Sequence, residues 1–254
     1  QKGDLRTGLK VTNPWGHVWR GVIGTTAMAL GFAGLGLLPF PEVTAIGFAS
    51  PLLIVIFAAL LLGEKVRLFR LSAVAVGLIG VGIILYPRIT VFDEGGAQSL
   101  AMLGALFVLG SAAFRALAQI HIRKLVQTDQ TSAIVFYFSL TSTLLGLLTI
   151  PLGWVLPTST EFLFLVGAGL LGGIAQIFLT TGYRYAEASL LAPFDYTSMI
   201  FAVLIGYFVF AEIPTSATLY GSAIIIVAGI AIIWRERQLG LKRGKARPSV
   251  TPQG

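Results

Sequence analysis

The chain has 254 residues, of which 56% are hydrophobic and only 11% charged, with a mean hydropathy of +0.86; in a soluble domain about a quarter would be charged. The net charge of +7 is spread along the chain instead of gathered on one face, which removes nucleic acid as a partner. With no cysteine and only two histidines, disulfides, thiol chemistry and a metal cluster are excluded as well.

Eight apolar runs are long enough for roughly 20 residues of helix across a 30 Å hydrocarbon core: 18–38, 43–62, 68–87, 100–120, 132–152, 162–181, 188–210 and 219–234. A membrane barrel would show short segments alternating apolar and polar. The expected fold is therefore all-α, a polytopic transmembrane helix bundle with the lipid bilayer as its surroundings.

Residues 1–19 carry Lys2, Arg6, Lys10 and His17, with Trp15 and Trp19 one turn apart, and read as a loop leading to the first span at a membrane boundary. Without a starting methionine or a signal-peptide pattern, they also read as a cut end. The first span (Gly21, Gly24, Gly31, Gly34, Gly36) and the sixth (Gly167, Gly169, Gly172, Gly173) carry glycines where helix backbones are expected to approach closely. The second holds Phe48, Ser50 and Pro51. The fourth has a polar stripe of Ser111, Arg115 and Gln119 at four-residue spacing, and the sixth a shorter one, Gln176 and Thr180. The seventh holds Pro193 and Asp195. Residues 239–254, rich in Lys and Arg with two prolines, read as a basic, disordered cytoplasmic tail.

Phe48-Ala49-Ser50 to Gly63-Glu64 aligns without gaps on Tyr196-Thr197-Ser198 to Ala211-Glu212. With the N-terminus inside, all but two of the 18 basic residues fall on inner segments, the exceptions being Arg88 and Arg115. The loop Gly63–Arg70 then lies inside and its repeat partner, Ala211–Thr218, outside. Two copies of opposite orientation form an inverted-topology repeat. Inversion needs an odd number of helices per unit, so the eight spans are expected to be part of a five-plus-five arrangement. Residues 1–92 supply the last three helices of the first unit, and 93–238 the five of the second. Both termini are then cytoplasmic.

Asp195 is the one carboxylate well inside a span, about 12 Å from Glu187 if the chain is helical. It is either a functional acid facing a wet cavity or a helix-start cap on Thr197 or Ser198. Arg115 lies at a similar depth before Arg123, so the two are expected to pair across a cavity, unless Arg115 snorkels to the inner headgroups. Pro51 and Pro193 each free the carbonyl four residues earlier, either to line a site or simply to kink the helix. Ser50, Gln119 and Gln176 are candidate polar contacts, although interhelical hydrogen bonding explains Gln176 equally well. Phe48, Tyr137, Phe194 and Tyr196 are candidates for stacking on a ligand, or core filling. His121 reads as an interface residue.

Phe48-Ala-Ser-Pro51, Leu62-Gly-Glu64, Ala192-Pro-Phe-Asp-Tyr-Thr-Ser198, Ala211-Glu-Ile-Pro214, Ala175-Gln-Ile-Phe-Leu-Thr180 and Tyr183-Arg-Tyr-Ala-Glu-Ala-Ser189 resemble the EamA branch of the drug/metabolite transporter superfamily. The resemblance implies ten helices in two inverted units, a central cavity, and movement of small organic solutes across a bacterial inner membrane, with Asp195 and Tyr196 at matching positions. The expected function is a secondary carrier for a small-molecule substrate. A non-transporting scaffold or a channel would need a charged ring or filter loop. An intramembrane enzyme would need a nucleophile–base pair. No GxxxxGK[ST] loop is present and no cofactor is expected. A homodimer is the candidate oligomer.

Overall fold

The computed structural model describes residues 8–62, 68–89, 96–185 and 197–245, which are helical throughout apart from connecting turns. The helices are α1 (Pro14–Leu35), α2 (Phe40–Gly47), α3 (Ala49–Leu62), α4 (Leu68–Ile89), α5 (Gly96–Leu125), α6 (Thr131–Leu147), α7 (Ser159–Tyr185), α8 (Thr197–Phe210) and α9 (Ser216–Lys245). Among the described residues, five stretches are long and apolar enough to cross a membrane: Pro14–Leu35, Phe40–Leu61, Ser99–Leu125, Thr131–Leu152 and Ser159–Tyr185. The apolar parts of α4 and α9 are shorter. The protein is an integral membrane protein with an all-α bundle fold.

Local chemistry moves several boundaries from where hydropathy alone places them. α1 begins at Pro14, inside the segment expected as a loop, because Asn13 accepts a hydrogen bond from Gly16 N at 3.0 Å and proline suits the first helical position. α5 runs 30 residues and takes in Arg123 and Lys124, whose charges suit a helix C-terminus. α6 stops at Leu147; Pro151 allows only a short 3-10 turn, and Gly153 at φ 94° reverses the chain. α7 starts three residues early on a capping box, in which Thr158 N donates to Glu161 Oε2 at 2.8 Å and Glu161 N to Thr158 Oγ1 at 3.4 Å. α9 continues to Lys245, so residues 239–245 of the expected disordered tail are helical; leucine, lysine and arginine are good helix formers.

The second span is two helices. α2 ends at Gly47, Phe48 is a turn residue, and α3 starts at Ala49. Pro51 has no N–H to offer the Gly47 carbonyl, so the hydrogen-bond ladder is interrupted there.

α1 packs most extensively on α5, and α4 on α9. The apolar core lies between α2, α3, α4, α5 and α9, around Ile46, Leu52, Val74, Val108, Ala112 and Ile225. α4 and α9 touch at glycine: a Cβ on Gly80 would stand 2.8 Å from the Gly221 carbonyl oxygen, and one on Gly221 would stand 2.6 Å from that of Gly80. Ala73 and Ala228, two turns from these glycines in opposite directions, are both buried, as an antiparallel seam requires. Against the expectation for the sixth span, Gly167, Gly169, Gly172 and Gly173 of α7 have no neighbour among the described residues within 4 Å of where a side chain would begin. α7 is peripheral, touching α6 and, less, α5, so its small residues close no contact among the described residues.

Gly221→Val should therefore destabilise the bundle by about 1–3 kcal/mol through overpacking, while Gly172→Ala should stay within about 0.5 kcal/mol of the parent. Thermal melting in detergent, followed by the monodisperse fraction, measures both; equal effects would show that the α4–α9 contact is not the tight one.

Candidate functional site

A cavity of about 340 Å3 opens between α1, α2, α5, α6 and α7, a volume suited to a small organic molecule. α1 contributes one helical face, Arg20, Gly24, Ala27, Met28, Gly31, Phe32 and Leu35, at the three- and four-residue steps that line up on a helix. α5 contributes Arg115, Ala118, Gln119 and Ile122, α2 contributes Phe40 and Val43, α6 Phe138, and α7 Gln176 and Leu179. The walls are mostly apolar, with two guanidinium groups and two amides among them.

Arg20 is the polar residue that sequence reading placed elsewhere. Counted there among the inner-loop charges, it lies six residues into α1 and is 3% exposed. Its side chain lies across the face of Phe138, with Cζ 3.9 Å from the ring centroid, and Nη2 donates to Gln176 Oε1 at 3.1 Å. Gly24 makes this possible, since a Cβ there would stand 2.8 Å from the Phe138 ring and collide with the guanidinium. The signal was present as an arginine followed one turn later by glycine in an apolar run, but a basic residue near a span end looks the same whether it faces headgroups or a cavity.

Arg115 and Gln119, both sequence candidates, do line the cavity. The Arg115 guanidinium reaches the helix break, with Nη1 3.8 Å from where a Gly47 Cβ would be. Gln119 Oε1 accepts from the Tyr183 hydroxyl at 2.5 Å, which ties α5 to α7. Ser111, the first member of the expected wet stripe, is instead buried in the α1–α5 seam, where it donates to the Ala27 carbonyl at 2.6 Å. Gln176 lines the cavity and Thr180 does not; the Thr180 hydroxyl is buried without a partner among the described residues.

Phe48 is buried in the same apolar cluster as Ile46 and Leu52, the core-filling alternative of its reading, and does not line the cavity. Ser50 is buried next to it, its hydroxyl without a partner among the described residues, and does not line the cavity. Pro51 sits in the first turn of α3. Pro193, Phe194, Asp195 and Tyr196 lie outside the described residues, and with them the expected pairing of Asp195 and Arg115.

One end of the bundle is held by a buried ion pair that the sequence reading did not find. His17 Nε2 lies 2.6 Å from Asp129 Oδ2, with side-chain exposures of 3% and 0%. Thr12 N donates to Asp129 Oδ1 at 2.9 Å, Arg184 donates to the Asp129 carbonyl and to Thr131 Oγ1, and Tyr137 packs on the His17 ring with centroids 5.3 Å apart. Burial by itself would raise the Asp129 carboxyl, but hydrogen bonds from His17 and Thr12 and the charge of His17 outweigh it and hold the group below the usual carboxylate range. At the opposite end, Phe40 N donates to Glu212 Oε2 at 2.8 Å, tying the start of α2 to the α8–α9 loop.

A sequence model described as the EamA-like transporter family matches residues 5–86 and 102–235. The pseudopaline exporter CntI of Pseudomonas aeruginosa is 30% identical over 217 residues, covering 84% of this chain and 72% of that protein. An S-adenosylmethionine uptake transporter of Rickettsia prowazekii is 28% identical over 233 residues, covering 92% and 76%. A riboflavin transporter of Vibrio cholerae is 31% identical over 226 residues, covering 88% and 73%. A crystal structure that shares 24% identity superposes with a TM-score of 0.62, covering 90% of this chain and 79% of the other, and so shares the fold.

Asp129 has a lower folded than unfolded pKa, so its ionised form stabilises the fold. That contribution is complete above the unfolded value, about 3.9, and is lost as pH falls through the folded one. Asp129→Asn should cost about 1–3 kcal/mol near neutral pH. The difference in melting temperature between the parent and this variant should close on acidification below about pH 4. A difference that persists to the lowest pH would mean that the ionised carboxylate is not what holds this end.

Proposed function

The chain belongs to the EamA-like transporter family, and from that premise we propose that it is a secondary carrier moving a small organic metabolite across the bacterial cytoplasmic membrane by alternating access. It is a transporter and not an enzyme, as its family and its relatives' names indicate. The observation that carries the reading is the cavity, in which Arg115, Gln119 and Gln176 face apolar walls beside the interrupted helix at Gly47.

In this mechanism the substrate occupies that cavity and the two ends of the bundle open in turn. Opening the His17–Asp129 end requires Thr12, Arg184 and Tyr137 to release the α5–α6 turn. Opening the other requires Glu212 to release Phe40 N. The α2–α3 break between them is a hinge that lets the Glu212-bound half of the second span move while Leu52 stays in the core. Asp195 and Tyr196 remain proposed substrate contacts leading into α8, Pro193 a proposed kink there, and Ser50 and Phe48 are assigned to the hinge.

For orientation, we propose cytoplasmic termini. The Thr12–Asp129 bond, the Ser132 hydroxyl on the Gly8 carbonyl and the Arg184 contacts bring the basic residues Lys10, Lys124 and Arg184 to one end, while Glu42 and Glu212 are near the other. Short cytoplasmic segments are the ones that keep lysine and arginine. The expected five-plus-five inverted repeat gives the same orientation.

In vesicles, Gln119→Ala and Arg115→Gln should each reduce solute transport by roughly tenfold or more, the weight of one good polar contact to a substrate, with Gln127→Ala as an unaffected control. Single cysteines are clean labels in this cysteine-free chain. In intact cells, a membrane-impermeant maleimide should modify a cysteine at Val155 and reach one at Gln127 only after permeabilisation. Labelling of both without permeabilisation would end the orientation proposal, and full transport by both cavity variants would end the carrier site.

A further inference from the structure

Resting on the reading of this cavity as the carrier's substrate site, we infer that Arg20 is its anion-binding residue and that the solute it takes is a small organic acid, a carboxylate joined to an apolar body. Of the two described guanidinium groups in the cavity wall, that of Arg20 is the deeply buried one, at 3% exposure, whereas Arg115 is exposed. Taking such a charge out of water is costly unless it is paired. Arg20 has one amide oxygen and one aromatic face; its Nε and Nη1 have no hydrogen-bond partner among the described residues. None of the described lining residues is acidic. Glu42, one position before the lining Val43, is buried in α2 and is not part of the wall.

The rest of the polar lining agrees in sign. An arginine cannot accept a hydrogen bond, so Gln176 must turn its oxygen to Arg20, which leaves the amide nitrogen as its remaining polar end. The site therefore offers the donors of Gln176 together with the guanidinium fork. Donors with positive charge, unmatched by a carboxylate among the described lining residues, suit a planar oxyanion, which a guanidinium holds through two parallel bonds. The apolar part of the solute meets Phe32, Phe40, Met28 and Leu179.

The two unpartnered donors lie against the Gly24 turn of α1 and beside Phe138. A carboxylate takes them up by drawing the flexible arginine stem off the helix face into the cavity it already borders. The cation–π contact and the Gln176 bond hold the charge while the site is empty of solute, and both are weaker than a charge-assisted pair.

The test uses benzoylglycine and its neutral amide as probes, with the chain in phosphatidylcholine nanodiscs and binding read by calorimetry. Benzoylglycine should bind roughly ten- to a hundredfold more tightly than the amide. Arg20→Gln should reduce that ratio to near one, and Arg20→Lys should retain part of it, since lysine keeps the charge but not the fork. A wild-type ratio near one overturns the inference, and this result needs no variant to fold. Anionic lipid is the other source of an oxyanion. Adding phosphatidylglycerol should leave the affinity unchanged, and loss of binding there would assign the site to a headgroup and overturn the organic-acid solute. Radiolabelled benzoylglycine in vesicles separates this inference from the carrier reading. Arg20-dependent binding with no accumulation upholds the anion site while ending the carrier reading. Accumulation at the same rate in the wild type and Arg20→Gln upholds the carrier and ends the anion site.

Discussion

Helices in lipid gain little by hiding apolar side chains from hydrocarbon, so their association depends on how closely their backbones can approach. In this bundle the two most extensive contacts are seams of small residues. In the α1–α5 seam, Gly34 faces Val108 and Gly31 faces Ser111, whose hydroxyl bonds the Ala27 carbonyl. In the α4–α9 seam Gly80 and Gly221 leave no room for a side chain on either. Further along α1 the same row changes character: Gly24 faces a guanidinium and a phenyl ring instead of a partner backbone. The cavity is the space left where a glycine row stops closing a seam and starts housing Arg20.

Two basic residues one turn apart on α1 have been compensated differently. His17 meets the carboxylate of Asp129 at 2.6 Å, with Thr12 completing the carboxylate's hydrogen bonds. Arg20 receives only an aromatic face and one amide oxygen. The first arrangement is a finished pair that holds an end of the bundle, and the second leaves donor capacity unused. Because both sit on one helix, a motion of α1 that separates His17 from Asp129 also moves Arg20 against Phe138 and Gln176. The end of the bundle and the cavity cation are therefore mechanically linked through α1.

The relatives' names describe an exporter of pseudopaline, an importer of S-adenosylmethionine and a transporter of riboflavin. Solutes and directions that differ so much on one fold mean that the architecture alone does not set what is moved. In this chain the wall is distinguished by Arg20, Arg115, Gln119 and Gln176 against phenylalanines and aliphatic groups.

Hydropathy by itself determined the membrane setting and the helical class, because a backbone in hydrocarbon has no other way to satisfy its polar groups along a single span. The positions of Arg115, Gln119 and Gln176 on cavity-lining faces were also legible, since helical spacing within one segment puts side chains on one face whatever lies opposite. What lies opposite was not legible. Whether Ser111 is wet or buried, whether α7's glycines touch a neighbour, and whether Phe48 faces a ligand or Leu52 all depend on which helix packs where. The His17–Asp129 pair joins residues from distant segments, and a basic residue near a span end reads from sequence as a headgroup contact. Only the tertiary structure set His17 against Asp129 and laid Arg20 over Phe138, because burial and charge pairing are properties of neighbours in space, and hydropathy records only neighbours along the chain.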